Sequence, residues 1–291
     1  MEPSLVDLLR VLELEPLELN IFRGESRDIG SPQVFGGQVL GQALRAAYAT
    51  VDDGRSVHSL HAYFLRRGDF NAPIVYFVDR SRDGQSFTSR RVTAIQHGEQ
   101  IFHMSASFQI EQPGVEHQSN MPSVPPPESL PSQTLVPSSV HAAPDKARQL
   151  GSFARPFEFR PVEPIHEPHT EHVLPVQHFW IRAVERLPDD EVIHRSLLAY
   201  VSDFYLLYTA TLPHASQFQV GRDFMATIDH AMWFHRPLRV DEWFLVSNFS
   251  PNASGSRGLA FGSVHSRDGR LAASTAQEGV VRLLDPQNRP R

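Results

Sequence analysis

Apolar and polar residues recur with two different periods along this chain. Leu5, Leu8, Leu9 and Leu12 fall at helical spacing and predict a short amphipathic helix over Ser4–Leu14, with Ser4 as its cap and Asp7 three residues later. Gln33–Tyr48 (QVFGGQVLGQALRAAY) predicts a second helix. Its glycines do not have the G-x-G-x-x-G spacing of a phosphate loop and point instead to close approach by another backbone. From Val57 onward the period becomes two. Val57–Leu65, Ile74–Asp79, Phe87–Gln96 and Ile101–Gln109 read as strands, and Asp83-Gly84 and His97-Gly98 supply turn residues. The first unit is therefore a helix followed by an antiparallel meander.

The texture changes over Glu111–Pro156, which holds nine of the 23 prolines and reads as a long extended connection. The plan then repeats. Phe157–Val162 and His178–Val184 predict strands, and His194–Leu212 predicts a helix. Phe224–His235, Trp243–Ser250, Gly258–His265 and Leu271–Leu283 predict further strands, with Asp268-Gly269 as a hairpin turn. At an offset of 170 residues Tyr63-Phe64 falls on Trp233-Phe234, Arg66 on Arg236 and Ser86 on Ser256. After a slip of one residue Gly98 falls on Gly269. So long a period excludes a solenoid and implies two copies of a domain-sized unit. The expected division is 1–110, a linker over 111–156, and 157–291. Each copy is an α+β unit in which one long helix covers an antiparallel sheet of about five strands.

Composition narrows the function classes. Net charge is −6 and Lys146 is the one lysine, so no basic stripe suited to nucleic acid is present. With no cysteine, disulfides, thiolate metal sites and a Cys nucleophile are excluded. The N-terminus lacks the basic and apolar regions of a secretory signal, and no apolar run reaches the length of a membrane span. The final N-R-P-R is not a peroxisomal S-K-L address. A cytoplasmic protein is the expectation.

Asp203 is the sharpest chemical clue. It is the one charged or His residue between Ser196 and Pro213, in a segment apolar on all sides and so expected to be buried. A carboxylate there is unfavourable unless it is paired or hydrogen-bonded. Either it is satisfied structurally, by backbone amides or by Arg182 or Arg195, or it has work to do. Thr227, on a strand face with Asp229, Ala231 and Trp233, and Gln277, on a face with Leu271, Ala273 and Thr275, are candidate partners. The first copy offers Gln42 (loosely, by helix position), Val57 and Ser107 at the matching positions, so the acid, hydroxyl and amide are not retained as a set, and a single kind of site would belong to the second copy. His166, His169, His172 and His178 lie in a Pro-rich stretch that does not match H-E-x-x-H and reads as loop. Period-two alternation places His58 and His61 on opposite faces of one strand. There is no G-x-S-x-G elbow for a serine nucleophile.

The strings LEPLELNIFRG from Leu14, QVFGGQVLGQAL from Gln33, HSLHAYFLRRGD from His58, RDGQSFTSRRV from Arg82, ATIDHAMWFHRP from Ala226 and ASTAQEGV from Ala273 resemble the bacterial acyl-CoA thioesterase II family and its peroxisomal relatives. The likeness runs in order along essentially the whole chain. It implies a double hotdog, two helix-and-sheet units side by side. It implies hydrolysis of acyl-CoA to free fatty acid and coenzyme A, without metal or other cofactor. It also implies a catalytic set at Asp203, Thr227 and Gln277, and matches His58 to a first-half histidine of the family. The bulky Phe204 and Tyr205 depart from the family's string after the Asp. The partner expected is acyl-CoA, with no nucleic acid or membrane, in a homodimer or homotetramer. Competing readings are a hotdog enoyl-CoA hydratase using Asp203 with His230, and an acyl-CoA carrier without turnover.

Overall fold

A computed structural model describes residues 2–29, 31, 33–132, 156–163, 173–218 and 223–284. The first half runs α1 (Pro3–Leu12), β1 (Leu14–Glu18), β2 (Ile21–Gly24), α2 (Gly36–Tyr48), β3 (Arg55–Phe64), β4 (Ile74–Asp83), β5 (Phe87–Gln96) and β6 (Glu99–Ile110). The second runs β7 (Phe157–Pro161), β8 (Val176–Ala183), α3 (Glu191–Ser202), a 3₁₀ helix (Leu207–His214), β9 (Phe224–Thr227), β10 (Asp229–Phe234), β11 (Phe244–Ser254), β12 (Arg257–Ser266) and β13 (Leu271–Arg282). The strands form one sheet in the order β1-β2-β4-β5-β6-β3-β10-β13-β12-β11-β8-β7, with β9 paired to β13. The halves join where β3 and β10 run antiparallel, with Asp229 opposite Tyr63 and Trp233 opposite Ser59.

Alternating apolar residues give the sheet an inner face on which α2 and α3 pack. Leu40, Leu44, Leu60, Ile74, Met104, Phe108, Leu197 and Phe244 are completely covered there. Burying each such side chain contributes about 1.5–3 kcal/mol. The glycines of α2 serve the close approach that their spacing predicts. A Cβ on Gly37 would overlap the Tyr200 carbonyl oxygen, and one on Gly41 would lie 3.1 Å from that of Ser196. The contacts run in opposite directions along the two helices, so α2 and α3 are antiparallel and the start of α2 meets the end of α3.

Several expectations need correction. The first helix is capped by Glu2, whose carboxylate accepts from the Ser4 and Leu5 amides, and not by Ser4. Asp7 pairs instead with Arg27. The segment His194–Leu212 is not one helix. Tyr205 takes a left-handed φ of 60°, α3 ends at Ser202, and a separate 3₁₀ helix packs against β11, β12 and β13. An apolar run fits either arrangement, and no Gly or Pro marks the break. Phe224–His235 is likewise two strands, interrupted at Ile228. Strands β1 and β2 add a hairpin that the reading above does not predict.

After β6 the chain runs without strand through residue 132, with one 3₁₀ turn at Pro127–Ser129, and crosses the outer face of the second half. Met121, Val124 and Leu130 pack on Trp180, Trp243 and Leu245, and the Trp180 indole donates to the Pro125 carbonyl at 2.9 Å. The rest of the expected linker, 133–155, lies outside the described residues.

Candidate active site

The site begins with a β-bulge. Strict alternation along Phe224–His235 would keep Thr227 on the outward face with Asp229, Ala231 and Trp233. The register shows otherwise: Ala231 stands opposite Ala276, but Thr227 stands opposite Gly279. Four residues on one strand therefore span three on the other. The extra residue turns Thr227 to the inner face shared by Gly279 and Gln277, as bulges beside functional sites commonly do. Asp229 steadies the bulge by accepting the Glu278 amide at 2.8 Å. The first copy has the same device at His58, between the pairs Val57–Phe108 and Ser59–Ser107. There the inward residue is Val57, which has no hydroxyl.

The pairing also revises the match between copies. Thr227 opposite Gly279 corresponds to Val57 opposite Phe108, so Gln277 corresponds to Ala106 rather than Ser107. Beside them, Ala260 of the second copy corresponds to Arg90 of the first. Arg90 is fully buried and held by Asp83 and Thr50. Thus the first copy has Val57, Ala106 and Arg90 where the second has Thr227, Gln277 and Ala260.

Asp203 follows the last residue of α3 and turns its carboxylate toward the start of α2. Gln277 Nε2 donates to Asp203 Oδ1 at 2.6 Å and to Thr227 Oγ1 at 3.1 Å. The Gly37 amide also donates to the Asp203 carboxylate. The space where Gly36 lacks a side chain is filled by Asp203 Oδ2, 2.6 Å from an ideal Cβ position. Burial raises the Asp203 pKa from the usual carboxylate range to about 7, opposed by the bonds from Gln277 and Gly37. Neither Arg182 nor Arg195 is its partner. Arg182 pairs with Glu158 and lies over Trp243, while Arg195 pairs with Glu191 and donates to the Val57 carbonyl.

These three side chains line a cleft of about 270 Å³ between the halves. Its walls include Phe35 just before α2, Val39 of α2, Phe64 and Phe102 of the first half, and Phe204, Tyr205 and Tyr208 beyond α3. Such a lining, aromatic side chains with convergent polar groups among them, suits a small-molecule site. Arg66 and Arg67 stand at its edge. Arg66 pairs with Glu99 at 3.0 Å, and Arg67 lies 5.5 Å over the Phe224 ring. The sequence reading takes Gly36 and Gly37 as a close approach of backbones but does not place them beside Asp203, and it does not single out these arginines, though the QVFGGQ and LRRGD strings contain them.

The other candidates fall elsewhere. The bulge puts His58 on the outer side of the sheet, bonded to Ser107 at 2.8 Å and edge-on to Phe87. His61 is on that same side against Trp233, so the two are not on opposite faces. Neither lines the cleft. His230 bonds Ser202 and not Asp203. His166, His169 and His172 lie outside the described residues, and His178 pairs with Glu163 at 2.6 Å. Among the described residues no helix is long and apolar enough to cross a membrane.

Known proteins resemble this chain along most of its length. Residues 147–280 match the family described as Acyl-CoA thioesterase, and residues 23–109 match the Acyl-CoA thioesterase N-terminal domain. The chain is 42% identical over 287 residues to acyl-CoA thioesterase 2 of Haemophilus influenzae, spanning 98% of this chain and 100% of that one. It is 43% identical over 282 residues to human acyl-coenzyme A thioesterase 8, spanning 94% and 88%. A crystal structure of an acyl-CoA thioesterase II from Mycobacterium marinum superposes with a TM-score of 0.80 at 42% identity, covering 96% of this chain and 99% of that one. The chain belongs to the acyl-CoA thioesterase family, in its thioesterase II, double-hotdog form.

Proposed function

We propose that this protein hydrolyses acyl-CoA to free fatty acid and coenzyme A by direct attack of water, with Asp203 as general base and Thr227 and Gln277 holding the nucleophile. The observation that carries this reading is the Asp203–Gln277–Thr227 hydrogen-bonded set at the wall of a cleft with aromatic side chains around it. A base works best with a pKa near the operating pH, and burial brings Asp203 to about 7. Because Thr227 Oγ1 accepts from Gln277, its own proton is free to orient a water.

The steps balance without a covalent enzyme intermediate. Asp203 takes a proton as the water oxygen bonds to the thioester carbon. The carbonyl becomes an oxyanion, whose charge is favoured by the positive end of the α2 dipole, where no side chain caps the helix. Collapse breaks the carbon–sulfur bond. A thiol of pKa about 8.5 leaves as thiolate with little acid assistance and then takes up the proton. The acyl chain lies among Phe35, Phe64, Phe102 and Phe204, while Arg66 and Arg67 face the phosphates of coenzyme A.

We read residues 1–110 and 157–291 as the two hotdog units and 111–156 as their linker. We further read the protein as a cytoplasmic homodimer or homotetramer serving fatty acid metabolism, a state that sedimentation would show. The activity is tested by free-thiol release across a chain-length series of acyl-CoAs. Thiol release equal to substrate loss supports hydrolysis. Loss of 2-enoyl absorbance without thiol would make the protein a hydratase, and saturable binding without turnover would make it a carrier.

A further inference from the structure

The residue before the proposed base and a histidine three residues beyond the proposed hydroxyl share a hydrogen bond. Ser202 Oγ lies 3.0 Å from His230 Nε2 and 2.9 Å from the Ala199 carbonyl oxygen. A hydroxyl has one proton, and the carbonyl can only accept. Ser202 therefore donates to Ala199, and the N–H at His230 Nε2 donates to Ser202. Nδ1 is then a bare acceptor, buried and without a partner among the described residues.

That arrangement is not what packing alone would select. His230 is 1% exposed on the inner face of β10. The first copy has Leu60 at the matching position, 0% exposed, in a strand with the same bulge. A leucine thus suits this place in the fold, and the second copy keeps a polar ring there with one nitrogen unsatisfied. The difference coincides with the copy that holds Asp203, Thr227 and Gln277. The bond joins the end of α3, which aims Asp203, to the bulged strand, which aims Thr227.

We propose that Ser202 and His230 are positioning residues that lock the end of α3 to the β10 bulge, fixing Asp203 and Thr227 relative to each other. The proposal rests on the reading of Asp203 as base, and the experiment separates the two. In the full chain, Ser202→Ala, His230→Leu, His230→Gln, His230→Asn and Asp203→Asn are assayed for kcat and KM by thiol release, with Tm measured for each. Misplacing a reacting group by about 1 Å lowers rate by about a hundredfold. Ser202→Ala and His230→Leu should lower kcat by about ten- to a hundredfold with KM within about twofold of wild type. His230→Gln, whose amide nitrogen reaches as far as Nε2, should recover most of kcat. His230→Asn, one bond shorter, should not. The double variant Ser202→Ala/His230→Leu should be no slower than the worse single variant, as expected for one shared bond. Wild-type kcat in folded Ser202→Ala and His230→Leu, or no recovery in His230→Gln, would overturn the pair. Ser202→Ala removes a single atom and keeps the test alive if His230→Leu does not fold. Loss of turnover in Asp203→Asn with none in the pair sinks the pair alone, whereas near wild-type turnover in Asp203→Asn sinks the base reading itself.

Discussion

Gln277 Nε2 lies 2.6 Å from Asp203 Oδ1, although the two residues are 74 positions apart in the chain. The same nitrogen reaches Thr227 Oγ1, so one amide ties together the end of a helix, a bulged strand and the last strand of the sheet. Asp203 keeps a pKa near 7 because burial outweighs the hydrogen bonds that favour its charge.

That balance sets the pH dependence. A base acts when deprotonated, so kcat/KM should fall on the acid side with unit slope below a midpoint near pH 7 and level off above it. A pH–rate profile with an acyl-CoA whose acyl group does not titrate measures this. An acid limb centred near the usual carboxylate value of about 4 would contradict the raised pKa of Asp203.

The bulge gives a comparison drawn from the protein's own first copy. Thr227→Val installs the residue found at Val57 and leaves Gln277 without its second acceptor. It should lower kcat by about a hundredfold, the usual loss for one positioned polar group. Thr227→Ser should stay within about tenfold of wild type. Steady-state assays on both variants decide it.

The start of α2 separates two kinds of damage. A methyl on Gly37 would overlap the Tyr200 carbonyl oxygen and force the helices apart. Gly37→Ala should lower stability by about 1–3 kcal/mol, as other overpacked cores do. A methyl on Gly36 meets Asp203 Oδ2 at 2.6 Å, a side-chain atom that can turn away. Gly36→Ala should therefore lose activity with a smaller loss of Tm. Thermal melts beside rate measurements test the contrast.

Buried His230 gives a stability prediction with a definite sign. Burial lowers its pKa to about 4, below the unfolded value of about 6.5, so the folded state binds fewer protons between those values. Its contribution to stability is present above pH 6.5 and is lost as pH falls through that window toward 4. His230→Leu should flatten this part of the curve of unfolding free energy against pH, measured by denaturant titration.

Much of the architecture is legible in the sequence because it rests on periods. The alternation at Ile74–Asp79 and Phe87–Gln96, and the offset that matches Tyr63-Phe64 to Trp233-Phe234, each fix local structure strongly. Asp203 is legible because a lone acid in an apolar run is physically expensive. Its setting is not. The left-handed Tyr205 between α3 and the 3₁₀ helix has a side chain that ordinarily disfavours φ above zero, and nothing local announces it. The bulge that turns Thr227 inward is invisible to period-two reasoning, which sends that side chain outward and places His58 and His61 on opposite faces. Both failures lie where tertiary pairing overrides local pattern, and both lie at the site.

The most direct test of the account is Asp203→Asn. Asparagine keeps an oxygen to accept from Gln277 and Gly37 but cannot take a proton from water. Because the acid's raised pKa means that its charge is unfavourable in the fold above pH 7, the variant should melt at or above the wild-type temperature at pH 8. Its kcat for acyl-CoA hydrolysis should fall by about a thousandfold or more. A folded Asp203→Asn protein that releases thiol at close to the wild-type rate would contradict the account.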